Sequence, residues 1–189
     1  MSTATFLSTD TTTQGTWIGV YGAAGAVIDG YTLPTDLTHL PSWVTFTKSG
    51  TSDNGWEEPS TDPRALQNYD GLSRYATCWF DVGSGFSFTL ALDSESRSYI
   101  LSIYAVDFDS TVRGNQFQIL DAADDSVLDT QTLSPSFHNG TWLRWTITGS
   151  VKIAVTTTAG PNAVVSGLMF DDTGSSPSFF PGAILIGGF

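Results

Sequence analysis

The chain has 189 residues, of which 40% are hydrophobic and 13% aromatic, a composition typical of one globular domain with a sizeable buried core. The formal net charge is −12, and the seven lysines and arginines are scattered singly, so the sequence offers no basic patch for phosphates and we expect no nucleic-acid partner. Anionic lipid heads repel such an acidic protein, and no apolar segment is long enough to span a bilayer, so we expect no membrane partner either.

The first distinctive segment runs from Asp10 to Gly22 and is dense in threonine, glycine and aromatic residues. Trp17 and Tyr21 have the same parity, so on one strand they would form a flat aromatic strip. Two interpretations fit this strip. It is a surface on which a sugar ring stacks, or it is part of a sandwich core in which glycines allow close backbone approach.

Residues 49–63 hold Gly, Pro, Ser and Asp around a single tryptophan and form the longest predicted loop. We expect Trp56 in this loop to be an exposed anchor that, together with Tyr21 or Trp17, stacks on a glycan. Arg64 follows the loop, and its guanidinium could bind a pair of sugar hydroxyls or a carboxylate. An internal salt bridge is the alternative for Arg64.

Apolar and polar residues alternate along the segments that follow, which predicts half-buried strands of antiparallel sheets. The single cysteine, Cys78, lies in one of them and is expected to be a buried, inert thiol. Trp142 and Trp145 have opposite parity, so only one of them is predicted to face inward on a regular strand. The alternation predicts these core residues: Phe88, Leu90, Ile103, Ile119, Leu143, Ile153 and Val165.

Turn signals rich in Gly, Asn, Asp and Ser divide the chain into about ten short strands, and no run has a convincing helical period. Residues 124–126 and 149–150 each lie between two strands and are predicted to close β-hairpins. Strands at this spacing predict an all-β sandwich or barrel.

Asp107 and Asp109 end a predicted strand, and at a spacing of two residues their carboxylates point the same way. Asp171 and Asp172 end another strand. Hard oxygen ligands from neighbouring strand ends suit Ca²⁺, so one hypothesis is a structural calcium ion held by Asp107 or Asp109, with no other cofactor. In the alternative, these acids belong to turns and Asp109 pairs with Arg113.

The sandwich domain is predicted over residues 1–172, followed by an uncharged apolar tail or arm over residues 173–189. An exposed run of this composition would aggregate, so the sandwich itself or a neighbouring subunit must cover it. Pro181 and Gly182 interrupt the run and favour an arm that reaches another copy, which predicts a homo-oligomer or a larger protein assembly. The predicted assembly residues are Phe179, Phe180, Ile184, Leu185, Ile186 and Phe189.

Several segments resemble those of a bacterial β-sandwich module found in extracellular and carbohydrate-active proteins. The module's D-T-T-T-Q-G-x-W-x-G-x-Y-G opening corresponds to residues 10–22, its R-A-L-Q segment to residues 64–67, and its closing N-A-V-V-S-G-L to residues 162–168. The resemblance implies a galactose-binding-like fold, that is, an all-β antiparallel jelly-roll β-sandwich. It also implies a binding or adhesive role without catalysis.

The sequence contains no hydrolase, metalloprotease or phosphate-loop motif, and His39 and His138 lie in predicted loops with no nucleophile motif nearby, so we expect no enzyme. Two functions are then in competition. One is a virion-associated structural protein of the decoration, cement or fibre type, with glycan binding as its activity. The other is the carbohydrate-binding module of a secreted bacterial protein. The absence of a signal-peptide pattern and the apolar tail favour the first, on a virion or extracellular surface.

Overall fold

The computed structural model describes residues 1–30, 36–81 and 83–174, and within these ranges the chain forms strands and turns without any helix. The strands are β1 (Thr3–Asp10), β2 (Gly25–Ile28), β3 (Leu37–His39), β4 (Val44–Ser49), β5 (Ser52–Glu57), β6 (Leu66–Gln67), β7 (Arg74–Asp81), β8 (Phe86–Leu92), β9 (Ser98–Ala105), β10 (Gly114–Asp121), β11 (Val127–Leu133), β12 (Thr141–Thr148), β13 (Val151–Ala159), β14 (Ala163–Val165) and β15 (Gly167–Asp172). The described ranges hold no helix long and apolar enough to cross a membrane.

Three sheets are formed by these strands. The six-stranded sheet has the order β1-β12-β9-β15-β2-β3, and the five-stranded sheet has the order β11-β10-β13-β8-β4. A smaller sheet, β14-β7-β5, is extended by β6, which pairs with β7. Adjacent strands pair antiparallel, and the sheets pack against each other, so the prediction of an all-β antiparallel sandwich is confirmed.

The inner core lies between the sheets and is built from the apolar sides of alternating strands. Trp145 of β12, Phe117 of β10 and Trp79 of β7 are fully buried there. All seven core residues predicted from the alternation are also buried, at 3% exposure or less, so the register inferred for those strands is confirmed.

A second apolar cluster, the outer core, covers the other side of the six-stranded sheet. Trp142 and Trp145 have opposite parity on β12, as predicted, yet both are fully buried, because Trp142 lies in this second cluster. Tyr104 and Tyr21 flank Trp142, with ring centroids 4.7 and 4.6 Å away. The outer core consists of Trp17, Tyr21, Ala26, Ile28, Leu66, Tyr104, Val106, Trp142 and Met169.

The segment from Asp10 to Gly22 folds as a series of turns over this outer core, so the expectation that Trp17 and Tyr21 share one strand is wrong. A Cβ at Gly15 would collide with the carbonyl of Ala65, so only glycine permits this approach. The Gly15 N–H donates to Pro63, at 2.9 Å, and its carbonyl accepts from the N–H of Gln67, at 3.0 Å. Two of the three segments that resemble the bacterial module, residues 10–22 and 64–67, therefore bind each other.

Two predicted connections differ in their outcome. Residues 124–126 join β10 to β11, which pair with each other, so that hairpin is confirmed. Residues 149–150 join β12 to β13, but these strands lie in different sheets, so the second hairpin is wrong and the turn instead crosses the sandwich. The apolar tail from 175 to 189, with all six predicted assembly residues, lies outside the described residues.

We expect Ile103→Ala to lower the free energy of unfolding by about 2–5 kcal/mol, because it leaves a cavity in the inner core. Urea denaturation of both proteins measures the change. Val127→Ala is the matched control, since Val127 is 56% exposed on β11, and it should shift stability by less than about 0.5 kcal/mol. An unchanged midpoint for Ile103→Ala would mean that the register of β9 is wrong.

Candidate functional site

A cleft of about 160 Å³ opens where the small sheet meets two connecting segments. β5 pairs with β7, and their side chains form one wall of the cleft. The segment between β9 and β10 and the turn before β14 form the other wall. The lining residues are Asn54, Trp56, Cys78, Phe80, Asp109, Arg113 and Asn162.

Trp56 is the aromatic side chain that the sequence analysis placed at an exposed loop tip. The structure instead places it near the end of β5, at a register shift between Gly55 and Glu57, and leaves its side chain half-buried. Its indole stacks on Phe108, with ring centroids 5.7 Å apart and planes 21° apart. The loop prediction for residues 52–57 is therefore wrong, whereas the indole does reach a surface cleft.

Arg113 is the charged centre of the opposite wall and is 7% exposed. Its guanidinium forms ion pairs with Asp107, at 2.5 Å, and with Asp109, and its Nε donates to the side-chain oxygen of Asn162 at 2.8 Å. The guanidinium carbon also lies 5.9 Å from the centre of the Trp56 ring. Arg113 thus joins three chain segments around the cleft.

The two carboxylates assigned to calcium in the sequence analysis, Asp107 and Asp109, therefore converge on Arg113. The structure thus matches the alternative to calcium binding, in which Asp109 pairs with Arg113, and it adds Asp107 as a second partner of the same arginine. Burial acts to raise the pKa of Asp107, but hydrogen bonds from Ser110 and Arg113 outweigh it and hold the pKa below its usual value. Asp107 is consequently an ionised structural partner at neutral pH.

Arg64 lies behind the cleft and does not line it. It pairs with Asp62 at 2.7 Å, so the structure shows the internal salt bridge that was its alternative. The guanidinium also stacks over Phe108, 4.4 Å from the ring centre, and donates to the carbonyl of Phe108 at 3.2 Å and that of His138 at 3.1 Å. Arg64 therefore fixes the ring against which Trp56 stacks.

Trp17 and Tyr21, the other two predicted stacking residues, belong to the outer core and do not line the cleft. Trp17 is fully buried, and its indole N–H donates to the carbonyl of Gln67 at 2.8 Å. The Tyr21 hydroxyl donates to Asp10 at 2.6 Å, and burial together with that carboxylate raises the pKa of Tyr21 to about 12. Trp17 and Tyr21 therefore belong to a core, as in the second interpretation of the aromatic residues in the 10–22 segment, and do not form a surface for a sugar ring.

Sequence reasoning missed Asn54, Phe108 and Asn162, which join Trp56 only through the fold. Asn162 opens the N-A-V-V-S-G-L segment, so that motif was the one available signal for it. Asn54 shares β5 with Trp56, but the strand itself was not predicted, and nothing in the local sequence separates Phe108 from an ordinary core residue.

No protein-family model matches the chain, and no curated protein matches it. Among solved structures, the chain is similar to the enzymatically active domain of tailspike protein 4 of bacteriophage CBA120, with 15% identity and a TM-score of 0.20. The match covers 68% of this chain and 19% of the tailspike chain, so this chain spans only about a fifth of the length of the tailspike chain.

We expect Asp107→Ala to lower the free energy of unfolding by about 3–5 kcal/mol at pH 7, because it removes a buried partner of Arg113. The Asp107 contribution is fully present above its unfolded-state pKa and is lost as the pH falls through the lower folded-state pKa. Urea denaturation at pH 7 and at progressively more acidic pH measures both effects.

The exposed acid Glu95 supplies the matched control, since Glu95→Ala removes the same charge and should leave stability unchanged. A difference between Asp107→Ala and the parent protein that grows as the pH falls would contradict the ion-pair account.

Proposed function

We propose that the protein is a non-catalytic carbohydrate-binding protein of a virion or other extracellular surface, and that its cleft holds one neutral sugar residue. The observation that carries the proposal is the meeting of the half-buried Trp56 indole with Asn54, Asn162 and the Arg113–Asp109 pair in one cleft. A sugar ring has an apolar face that packs on an indole and hydroxyls that bond to planar polar groups.

The size of the cleft favours a single ring. Its volume of about 160 Å³ is well below the roughly 300–1,000 Å³ of sites that enclose a drug-sized ligand. An oligosaccharide would therefore place one residue in the cleft and the remainder in solvent. Terminal residues of surface glycans fit this requirement.

The charges around the cleft favour a neutral sugar. Asp107 and Asp109 together outnumber the Arg113 guanidinium, and both already pair with it. An acidic sugar would have to compete with these carboxylates for the same cation. The side-chain oxygen of Asn162 accepts from Arg113, which leaves the Asn162 amide N–H group as a donor for a ligand hydroxyl.

The ionisation of the nearby groups supports binding without catalysis. A glycosidase general acid needs a carboxyl whose pKa is raised, and that of Asp107 is lowered by Ser110 and Arg113 against the effect of burial. Burial raises the pKa of the Cys78 thiol well above its usual value, so this residue is a protonated thiol and a poor nucleophile. The acid–base properties of the Cys78 thiol in the cleft, and of Asp107, which pairs with Arg113 but does not line the cleft, therefore suit a binding role.

The setting on a virion or extracellular particle is supported by the composition of residues 173–189. They carry no charge, and a covering subunit would protect their apolar side chains from water. A carbohydrate-binding module of a secreted bacterial protein would use the same cleft without assembling. The two settings thus differ in oligomeric state and agree in the ligand.

We expect the protein to bind glycans with exposed neutral terminal residues on an array, and Trp56→Ala to lower that binding at least fivefold. A nucleobase that loses its aromatic stacking partner loses about 1–3 kcal/mol of binding, or about 5- to 150-fold in affinity, and we expect a loss of the same order for a sugar ring packed on Trp56. The measurement is a glycan array followed by titration calorimetry with the strongest binder.

Phe46→Ala is the matched control for this loss, because Phe46 is also a partly buried aromatic residue but packs on Phe88 and Trp79, away from the cleft lining. It should keep full affinity even if it melts earlier. An array without any signal, or full affinity in Trp56→Ala, would contradict the proposed cleft.

We expect deletion of residues 173–189 to leave a folded monomer, whereas the full chain forms a defined oligomer. The apolar tail supplies the contact between copies, and the described sandwich already has a closed core without it. Size-exclusion chromatography with light scattering and circular dichroism measure assembly and folding. A strictly monomeric full chain whose truncated form unfolds would contradict the assembly role.

A further inference from the structure

Three aspartates from separate parts of the chain converge beside the small sheet. Asp29 follows β2, Asp36 precedes β3 and Asp53 lies on β5, and one carboxylate oxygen from each lies within 4.8 Å of the others. Their burial is graded, with Asp29 buried, Asp36 intermediate and Asp53 exposed. The cluster therefore extends from the interior to solvent, which gives an ion a path of entry.

Asp29 is the residue that distinguishes this cluster from an ordinary acidic surface. It is fully buried, and within the described part of the chain neither of its carboxylate oxygens has a hydrogen-bond partner. Its backbone is held on both sides, because its N–H donates to the carbonyl of Ser166 and its own carbonyl accepts from the Thr77 hydroxyl at 2.7 Å. A buried carboxylate without a partner is costly, so this side chain calls for a proton or a cation.

The charges already present do not neutralise the cluster. The Lys48 ammonium bonds Asp36 at 2.9 Å and Asp53 at 3.0 Å, but one positive charge faces three carboxyl groups. The Trp79 indole N–H donates to the same oxygen of Asp36 that Lys48 binds. Asp36 is therefore oriented by two donors, whereas Asp29 has none in the described structure.

Asp29 also faces like charges, because carboxylate oxygens of Asp36 and Asp53 lie within 4.8 Å of one of its own. A divalent cation would neutralise these charges and bind the carboxylate oxygens of Asp29 directly.

We propose that Asp29, Asp36 and Asp53 form a calcium-binding site. Carboxylate oxygens up to 4.8 Å apart can share one ion at the usual Ca–O distance of about 2.3–2.6 Å. Ca²⁺ accepts irregular sets of oxygen ligands from separate segments, whereas Mg²⁺ requires a near-ideal octahedron, so the three-segment origin of this cluster favours Ca²⁺. Lys48, with 28% of its side chain exposed, would move outward as the ion enters.

The bound ion would tie the end of β2 and the start of β3 to β5. On β5, Asp53 and Asn54 are successive residues and point to opposite faces, so the ion site and the cleft lie back to back on one strand. The calcium site rests on its own three carboxylates and does not depend on the carbohydrate proposal.

Terbium luminescence tests the site in the full chain, because Tb³⁺ replaces Ca²⁺ and the Trp79 indole, bonded to Asp36 at 3.1 Å, would sensitise its emission. We expect sensitised emission that Ca²⁺ suppresses by competition and that Mg²⁺ at the same concentration does not. We also expect Ca²⁺ at 100 times its dissociation constant to raise the melting temperature of the chelator-treated protein by about 5–10 °C.

Asp29→Asn should abolish both the emission and the shift in melting temperature, while Glu95→Gln, which removes the same charge from an exposed position, should change neither. Asp53→Asn keeps the test valid if Asp29→Asn fails to fold, because the Asp53 side chain is 44% exposed. Lys48→Met should tighten calcium binding, because it removes a competing cation. Emission and shift that survive Asp29→Asn or Asp53→Asn, equal competition by Mg²⁺, or no calcium response in the parent protein would each overturn the proposal.

Discussion

Burial of the six-stranded sheet on both faces is the constraint on which the rest of this structure depends. Trp145 fills the inner side of β12 and Trp142 the outer side, so a covering segment must lie over the outer face. Residues 10–22 supply that cover, and their close approach at Gly15 fixes the segment around Ala65. The outer core thereby determines where the residues behind the cleft can lie.

A chain of contacts leads from the outer core to the cleft. The Tyr104 hydroxyl donates to the carbonyl of Arg64 at 2.7 Å, and the Arg64 guanidinium stacks on Phe108. Phe108 in turn supports the indole of Trp56. Of the three aromatic residues predicted to stack on a ligand, Trp17 and Tyr21 therefore stabilise the fold, and Trp56 reaches the cleft.

Much of the fold was predictable because apolar alternation directly encodes which side of a strand is buried. Phe88, Ile103 and Ile153 followed that rule and lie in the inner core. The alternation shows which side chains share a face of a strand, but not whether another segment of the chain covers that face. It therefore could not show that Trp142 is buried as deeply as Trp145. It also failed for β5, whose Ser, Asp, Asn and Gly residues have the composition of a loop and become a strand only by pairing with β7.

The candidate sites were less predictable because distant parts of the chain form them. Asn54, Arg113 and Asn162 meet only after the small sheet packs against the connecting segments, and no local spacing reveals this. The same reason explains why the sequence did not show which acidic residues lie together in space. Asp107 and Asp109 were prominent by their spacing, but Arg113 holds both, whereas Asp29 and Asp53 are unremarkable in sequence and adjacent in space.

The central claim is that a sugar binds at Trp56, and nuclear magnetic resonance titration tests it most directly. Four of the six tryptophans donate their indole N–H to internal acceptors, so their resonances report on the cores and on the acidic cluster. With the glycan that binds best on an array, the Trp56 indole and the side-chain amides of Asn54 and Asn162 should shift most. Largest shifts at Trp17 or Trp142, or none at Trp56, would contradict the account.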